Sequence, residues 1–336
     1  MSNDQEKARI GKIRDSALSM QVGDDSDGPI SGMVSVADTD MYIIKKHAIY
    51  RIFLADDIDP ERTNSNIPNG HQKIVSQGSE SETVARSFLT ANVLFNSNQF
   101  AGEIDLKRVM DLSIVVMKEL LAAQKIERKL AREHDSALVA FEQPEQRSVA
   151  LPSVEGLDEN IKTFVQKIEH ATQAIFTLTQ QFYGHTEKLW NGFEAEIQKL
   201  YGDADEFSKF AASMTPFMVF VRNLRNCVEH PKDVHRVIIK DFAIAVDGTL
   251  ANPTVQVVHA ATPQSEIEMR LFLPQVASQV LEVFEVLMIH IASKHIASFG
   301  AFEKAVGFLP PDQIAPDTKV RASYFIWVND CWSKLG

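Results

Sequence analysis

Apolar positions recur at helical spacing through most of the chain after residue 80. Ser79 and Glu82 are spaced as a capping box, which predicts a helix with Val84, Phe88, Ala91 and Phe95 on one face. A long helix is expected from about Ile104 to Phe141, stopping before Pro144, and a second from about Asp158 to Leu200. The second carries Ile161, Phe164, Ile168, Ala171, Ile175 and Leu178, then Phe182, Leu189, Phe193 and Ile197, near heptad spacing. A stripe this long reads as intramolecular core before it reads as a dimer zipper. Between these helices, EQPEQRSVALPSVEG contains two prolines and reads as a link between subdomains. A third helix runs from about Ala204 to His230 and ends at Pro231, because the residue before proline is pushed out of the helical region. A fourth, from about Gln275 to Phe299, closes at Gly300.

Between the third and fourth helices the period shortens to two. Phe242, Ile244 and Val246 alternate with Ala243 and Ala245, Asp247-Gly248 signals a turn, and Thr254 to His259 and Glu266 to Leu273 read as strands. The expected fold class is therefore mainly α, a helical bundle with a small antiparallel sheet at 236–273 inserted before the last helix. Ahead of it, residues 1–30 form a polar segment and linker, including GDDSDG. Residues 31–150 form a helical part, with a helix over about Val34 to Leu54 and a polar loop at 56–78. Residues 151–300 form the helical core, and 301–336 a tail with Pro310-Pro311 and a strand at about Val320 to Val328.

Charge narrows the function classes. Against 45 Asp and Glu stand 34 Lys and Arg, for a net charge of −11, which argues against a basic protein that coats nucleic acid without sequence preference. Two cysteines, Cys227 and Cys331, cannot build a disulfide framework. The first residues lack the basic-then-apolar pattern of a secretory leader. The apolar stretch Val283 to Ile296 is interrupted by Glu285, His290, Ser293, Lys294 and His295, so it does not read as a membrane span. A cytoplasmic location is expected.

The third helix carries the chemistry. After the apolar run Pro216 to Val221 come Arg222, Arg225, Asn226, Glu229 and His230, at offsets 0, 3, 4, 7 and 8, which is one face of a helix. Histidine titrates near neutrality and can carry a proton either way. Arginine stays charged and meets phosphate oxygens as a two-pronged fork. Lys232, His235 and Arg236 follow as further substrate contacts. Residues 222–240 hold five cations against two carboxylates, a local +3, which leaves the rest of the chain near −14. That is a confined basic site in an acidic body. The plainer reading is a helix end where His230 caps carbonyls and Arg225–Glu229 is an ordinary i,i+4 pair.

Arg225 and Asn226, with His230 after three further residues, form a motif that resembles the HEPN (higher eukaryotes and prokaryotes nucleotide-binding) superfamily, whose Arg–polar–three-residue–His signature also lies near the end of a core helix. The resemblance covers six motif residues, and its helical surroundings run from about Thr83 to Phe299. It implies an all-α core and a homodimer in which two motifs face one cleft. It also implies metal-independent RNA cleavage with Arg225 and His230 as catalytic residues, or else a non-catalytic binding module. Arg222, Asn226 and Glu229 would be supporting residues, no cofactor is implied, and the setting would be toxin–antitoxin or phage defence. The sheet at 236–273 and the N-terminal third are not features of that family.

Other groupings are weaker. Cys227, His230 and His235 with Cys331 match no zinc spacing. Cys227 and His230 are three apart on one helix, and Cys227 faces away from the stripe. Asp56, Asp57, Asp59 and Glu61 lack the glycine and terminal glutamate of a calcium loop, and read as a solvated loop that could serve as a lid. His290 and His295 read as core or surface residues. No metal is expected. A helical scaffold whose long helices are themselves a partner surface is the plainest alternative.

Overall fold

A computed structural model of the chain describes residues 3–15, 20–36, 40–96, 99–101, 104–141, 149–184, 189–297, 302–328 and 330–335. It corrects the fold class. Helix makes up 52% of the chain and strand 21%, in four separate small sheets, so the protein is mixed α/β and not a mainly α bundle with one inserted sheet. The chain divides into two compact units, residues 1–110 with 292–336, and residues 111–291.

The first unit begins with α1 (Asn3–Asp15) and a four-stranded antiparallel sheet: β1 (Ile30–Val36), β2 (Asp40–Lys45), β3 (Ile49–Phe53) and, after the single turn α2 (Ala55–Ile58), β4 (Gly70–Val75). The sequence points to a helix over 34–54, yet two hairpins stand there, with Ile43 opposite Tyr50 and Met41 opposite Ile52. The run is rich in β-branched and aromatic side chains, which lose rotamer freedom in a helix and pack well on a pleated sheet. Five of the six residues of β2 are buried, so this strand is covered on both faces and the alternation that marks a strand is missing from it. Val22, Ile43, Ala48, Tyr50 and Ile52 cluster in its core. Part of the expected polar loop, 70–75, is thereby strand.

A helical segment follows as α3 (Glu82–Val84), one wide turn over Ala85–Leu89, and α4 (Thr90–Leu94). In the wide turn the Thr90 hydroxyl donates to the Ala85 carbonyl at 2.8 Å. Ser81, not Ser79, occupies the cap position, and Ser79 instead donates to the Ser31 hydroxyl at 2.7 Å. Val84, Phe88, Ala91 and Phe95 are all buried. Phe88 meets Tyr42 edge-on at 5.6 Å.

Helix α5 (Leu106–Ala140) leads into the second unit. The expected helix over 158–200 is two, α6 (Leu157–Tyr183) and α7 (Trp190–Tyr201). Gly184 ends the first in a left-handed conformation at φ +58°, which costs glycine nothing. Most of the heptad stripe is core, although Leu189, at the start of α7, is exposed. Helix α8 (Glu206–Glu229) starts at Asp205, whose side chain accepts from the Phe207 amide. It packs on α6 and α7.

Strands β5 (Arg236–Lys240), β6 (Ala243–Ile244), β7 (Leu250–Ala251), β8 (Thr254–Val258) and β9 (Gln264–Glu268) come next. The three-stranded sheet runs β5-β8-β9, while β6 and β7 form a separate two-stranded ribbon closed at Gly248. Residues 242–246 therefore lie outside the main sheet, and Arg236–Lys240 takes the place expected for them. Helix α9 (Met269–Lys294) starts earlier than expected, absorbing residues 269–273 and admitting Pro274 within its first two turns. It is long and apolar enough to cross a membrane, but 67% of its most apolar stretch is buried within the protein. It also ends earlier than expected, at Lys294, and Ile296 beyond it forms an isolated β-bridge with Phe100; residues 298–300, like 142–148 of the proline-containing link, lie outside the described residues.

The chain then returns to the first unit as β10 (Lys304–Phe308), β11 (Ala322–Val328) and β12 (Cys331–Lys334). The Tyr324 hydroxyl donates to the Leu94 carbonyl at 2.7 Å, and the Lys304 ammonium to Gln99 Oε1 at 2.6 Å. The expected strand at 320–328 is thus the middle of three.

Candidate functional site

The last two turns of α8 are half core and half surface. Val221, Leu224 and Cys227 are buried, and the Cys227 thiol is pushed up by that burial, as befits a packing residue. Arg222, Asn226 and His230 are exposed, and Arg225 and Glu229 half-buried. Arg225 forms an ion pair with Glu229 one turn on, and its guanidinium reaches Asn226 Oδ1 at 3.4 Å. The i,i+4 pair of the plainer reading is therefore present. Capping by the histidine ring is not. His230 closes α8 through its backbone N–H, which donates to the Asn226 carbonyl at 2.9 Å, while its imidazole makes no hydrogen bond or ion pair among the described residues.

Arg222, Arg225 and Asn226 line one wall of a cleft of about 350 Å³. The opposite wall comes from α6, as Glu169, Gln173 and Thr177 at successive turns with Thr172 and Phe176 beside them. Trp190, the first residue of α7, lines it too, and its ring meets Phe176 edge-on at 5.0 Å. Glu229 and His230 do not line this cleft. Glu169 is only 6% exposed, and its Oε2 is buried without a hydrogen-bond partner among the described residues. Neither arginine forms an ion pair with it. A buried, unpaired carboxylate oxygen costs free energy, and Arg222 likewise makes no ion pair among the described residues. The cleft thus holds a buried acceptor and a solvent-exposed cation, each without a protein partner among the described residues.

Sequence reasoning missed Glu169. The available signal is a carboxylate in helical register with Val165, Thr172 and Phe176, on a face that is otherwise core.

The three further contact residues are not gathered into the cleft. Lys232 and His235 close a turn through paired backbone bonds of 2.7 and 3.0 Å. Lys232 and Arg236 are exposed, and Arg236 lies 3.8 Å from Asp233. His235 stacks on His259 at 4.6 Å. Burial, and then the neighbouring His235, lower the His259 pKa below its ordinary value. The His259 Nδ1 accepts from the backbone amides of Ala261 and Thr262, at 3.2 and 3.1 Å. Asn223 of α8 reaches the Thr262 hydroxyl at 3.1 Å, tying the helix to the turn between β8 and β9.

The other groupings have ordinary partners. Asp56 and Asp59 are bound by Arg14, and Asp56 also by Arg62. The Thr63 and Asn64 amides, with the Thr63 hydroxyl and Arg14, hold the Asp59 carboxyl well below the usual carboxylate range. This loop is cross-linked to α1 and does not form a free acidic cluster. His290 stacks on Phe207 at 5.1 Å, and His295 on Phe100 at 6.2 Å. Among the described residues no group of three or more His, Cys, Asp or Glu side chains could hold a metal ion. A second cavity of about 270 Å³, in the first unit, is lined by apolar side chains such as Met33, Ile44, Leu89 and Leu309 and carries one cation, Lys334. Comparison with protein-family models, with curated proteins and with solved structures gives no match to this chain.

Proposed function

We propose that the chain is a metal-independent endoribonuclease whose site lies at the end of α8 and is completed by a second copy of the chain. His230 carries this reading. Its ring is exposed and unbonded among the described residues, at the residue that ends the helix carrying Arg222, Arg225 and Asn226. A histidine serving only as a cap would use its ring on the last carbonyls. Here the backbone does that work and the imidazole is left available for proton transfer.

The chemistry follows from those residue types. One group removes the 2′-hydroxyl proton as that oxygen attacks phosphorus, and a second protonates the departing 5′-oxygen. The products carry a 2′,3′-cyclic phosphate and a 5′-hydroxyl. One chain brings one histidine to this place, so a homodimer supplies both proton carriers. Arg225 stabilises the charge that builds on the phosphorane, Arg222 adds a second phosphate contact, and Asn226 orients the site. Glu229 holds Arg225. A role in the cytoplasm as a toxin or phage-defence factor rests on the HEPN resemblance of residues 225–230 alone. A non-catalytic binding module is the second reading, favoured by one observation: the cleft beside Arg222 and Arg225 does not include His230.

The test is incubation of the purified chain with a mixed RNA pool in the presence of chelator, beside His230→Ala. Cyclic-phosphate ends from the unaltered protein and a loss of at least about 100-fold in the variant are expected. Equal degradation by both proteins, or none by either, overturns the enzymatic reading and leaves the binding module.

A further inference from the structure

We infer that the cavity beside β1 is a binding site for a small amphipathic monocarboxylate, with its hydrocarbon tail against Leu89 and its carboxylate at Lys334. The inference concerns the first unit alone and does not rest on the reading above.

The cavity, about 270 Å³ in volume, is bordered by β1, the α3–α4 segment and strands β11 and β12. It stands where a side chain is missing. Gly32 pairs with Ile44 and Val34 with Tyr42, so these four residues share one face of the sheet. That face is turned towards the helical segment, where Tyr42 meets Phe88. Val34 and Tyr42 are buried there, but a Cβ added at Gly32 would meet no atom within 4 Å. A glycine inside a strand weakens it and marks a place where a ligand can approach the backbone closely. Two further irregularities border the same space. Ser31 is the extra residue of a bulge in β1, between the pairs Ile30–Lys45 and Gly32–Ile44. Leu89 is the last residue of the wide turn that precedes α4. Bulges and wide turns of this kind are concentrated beside working sites.

The lining defines the chemistry of the ligand. Ile44, Leu89 and Leu309 are almost closed to solvent and form the back of the cavity, while Met33, Val93 and Val320 keep apolar surface open. No Asp or Glu lines it. Its one charge is Lys334, exposed and without an ion pair among the described residues. Asn92 and Thr318, both half-buried, add neutral donors whose side chains make no hydrogen bond among the described residues. A cationic ligand would meet the lysine as a like charge. A phosphate dianion calls for several cations or an arginine fork. One carboxylate matches one ammonium, and Lys334, as the exposed member, places that pair at the mouth. An exposed ion pair contributes little, so the buried tail supplies most of the affinity. The volume lies just under the roughly 300–1,000 Å³ of small-molecule pockets, which limits the tail to a short one.

Calorimetric titration of the full chain with butanoate, hexanoate, octanoate and dodecanoate tests this. Affinity should rise about fourfold for each added methylene that is buried, and level off once the cavity is filled. Octanoate should bind about fivefold tighter than octanol, and Lys334→Gln should remove that difference while leaving octanol binding as it is. Gly32→Leu places a side chain in the cavity and should weaken octanoate at least about tenfold, by displacing the tail. Its Cβ enters open space at a backbone conformation that other residues share, so the variant is expected to fold. A flat chain-length series, octanol equal to octanoate in the unaltered chain, unchanged binding in Gly32→Leu, or no binding at all overturns the inference. If Gly32→Leu does not fold, the chain-length series and the octanol comparison on the unaltered chain still decide.

Discussion

The acidic loop at residues 56–64 and the basic stripe at residues 222–230 look alike in the sequence, as short runs where charge is crowded without an evident partner. Their partners make the difference. Arg14 arrives from α1 and lies between Asp56 and Asp59, Arg62 folds back onto Asp56, and two backbone amides and a hydroxyl complete Asp59. Every charge in that loop has a role in holding the loop. In the stripe, Arg225 has found Glu229, but among the described residues Arg222 and the His230 ring have no such partner, and across the cleft Glu169 keeps an oxygen unpaired. A charged cluster that closes on itself is architecture, while one left open over a cavity has its free energy still to gain from a ligand.

The sharpest way to break this comparison is His230→Ala. We expect a loss of RNA cleavage of at least about 100-fold with a stability change within about 0.5 kcal/mol, because an exposed, unbonded ring contributes little to folding. Activity assays beside thermal melts check both halves. A large fall in stability would move His230 to the architectural side.

Asp59→Asn should do the reverse, lowering the thermal midpoint with no effect on cleavage. Its carboxyl is held below the usual range, so the charged form stabilises the fold at neutral pH. That contribution is complete above the ordinary carboxylate value of about 4 and fades as pH falls towards the lowered folded value. The gap between the variant's melting midpoint and that of the unaltered chain should therefore narrow in acid. Asp27 should behave alike: Lys73, then the Tyr50 hydroxyl, bring it down to about 2.

A smaller effect of unusual sign is expected at Glu169. Replacing it with Met removes a buried carboxyl group with an oxygen left without a partner, and should leave stability unchanged or raise it by about 1 kcal/mol, measured by urea unfolding. A loss of more than that would show that the carboxylate is structural. The smallest effect concerns His259. Its folded pKa lies below its unfolded value, so the unfolded chain takes up a proton first and stability falls as pH drops through about 6.5. His259→Gln should flatten that slope in melts run between pH 5 and 8.

How far the sequence discloses this molecule depends on how far apart the cooperating residues are. Helices α5 and α8 are legible because the apolar period lies within each element, and Pro231 stands just beyond the end of α8. The first sheet is not, since burial of its strand β2 on both faces erases alternation there and leaves an apolar run that also suits a helix. Residues 304–308 and 331–334 are strands only because they flank β11, a pairing no local pattern announces. At the site, Arg222, Arg225 and Asn226 share one helix face and are found from spacing alone. Glu169 belongs to a different helix, and its place opposite them is decided by how α6 packs on α8. The break at Gly184 was hidden for a similar reason, because the stripe of apolar residues resumes in α7.

The division of the chain also sets an order of events during synthesis. Residues 1–110 leave the ribosome long before β10 and β11, yet the Leu94 carbonyl waits for the Tyr324 hydroxyl and Gln99 for Lys304. Between those moments the whole of 111–291 emerges, with its own core and the proposed site. The unit translated in one piece can mature first, and the unit begun first must finish last. A truncation after residue 291 should therefore yield a well-packed middle flanked by an aggregation-prone N-terminal sheet.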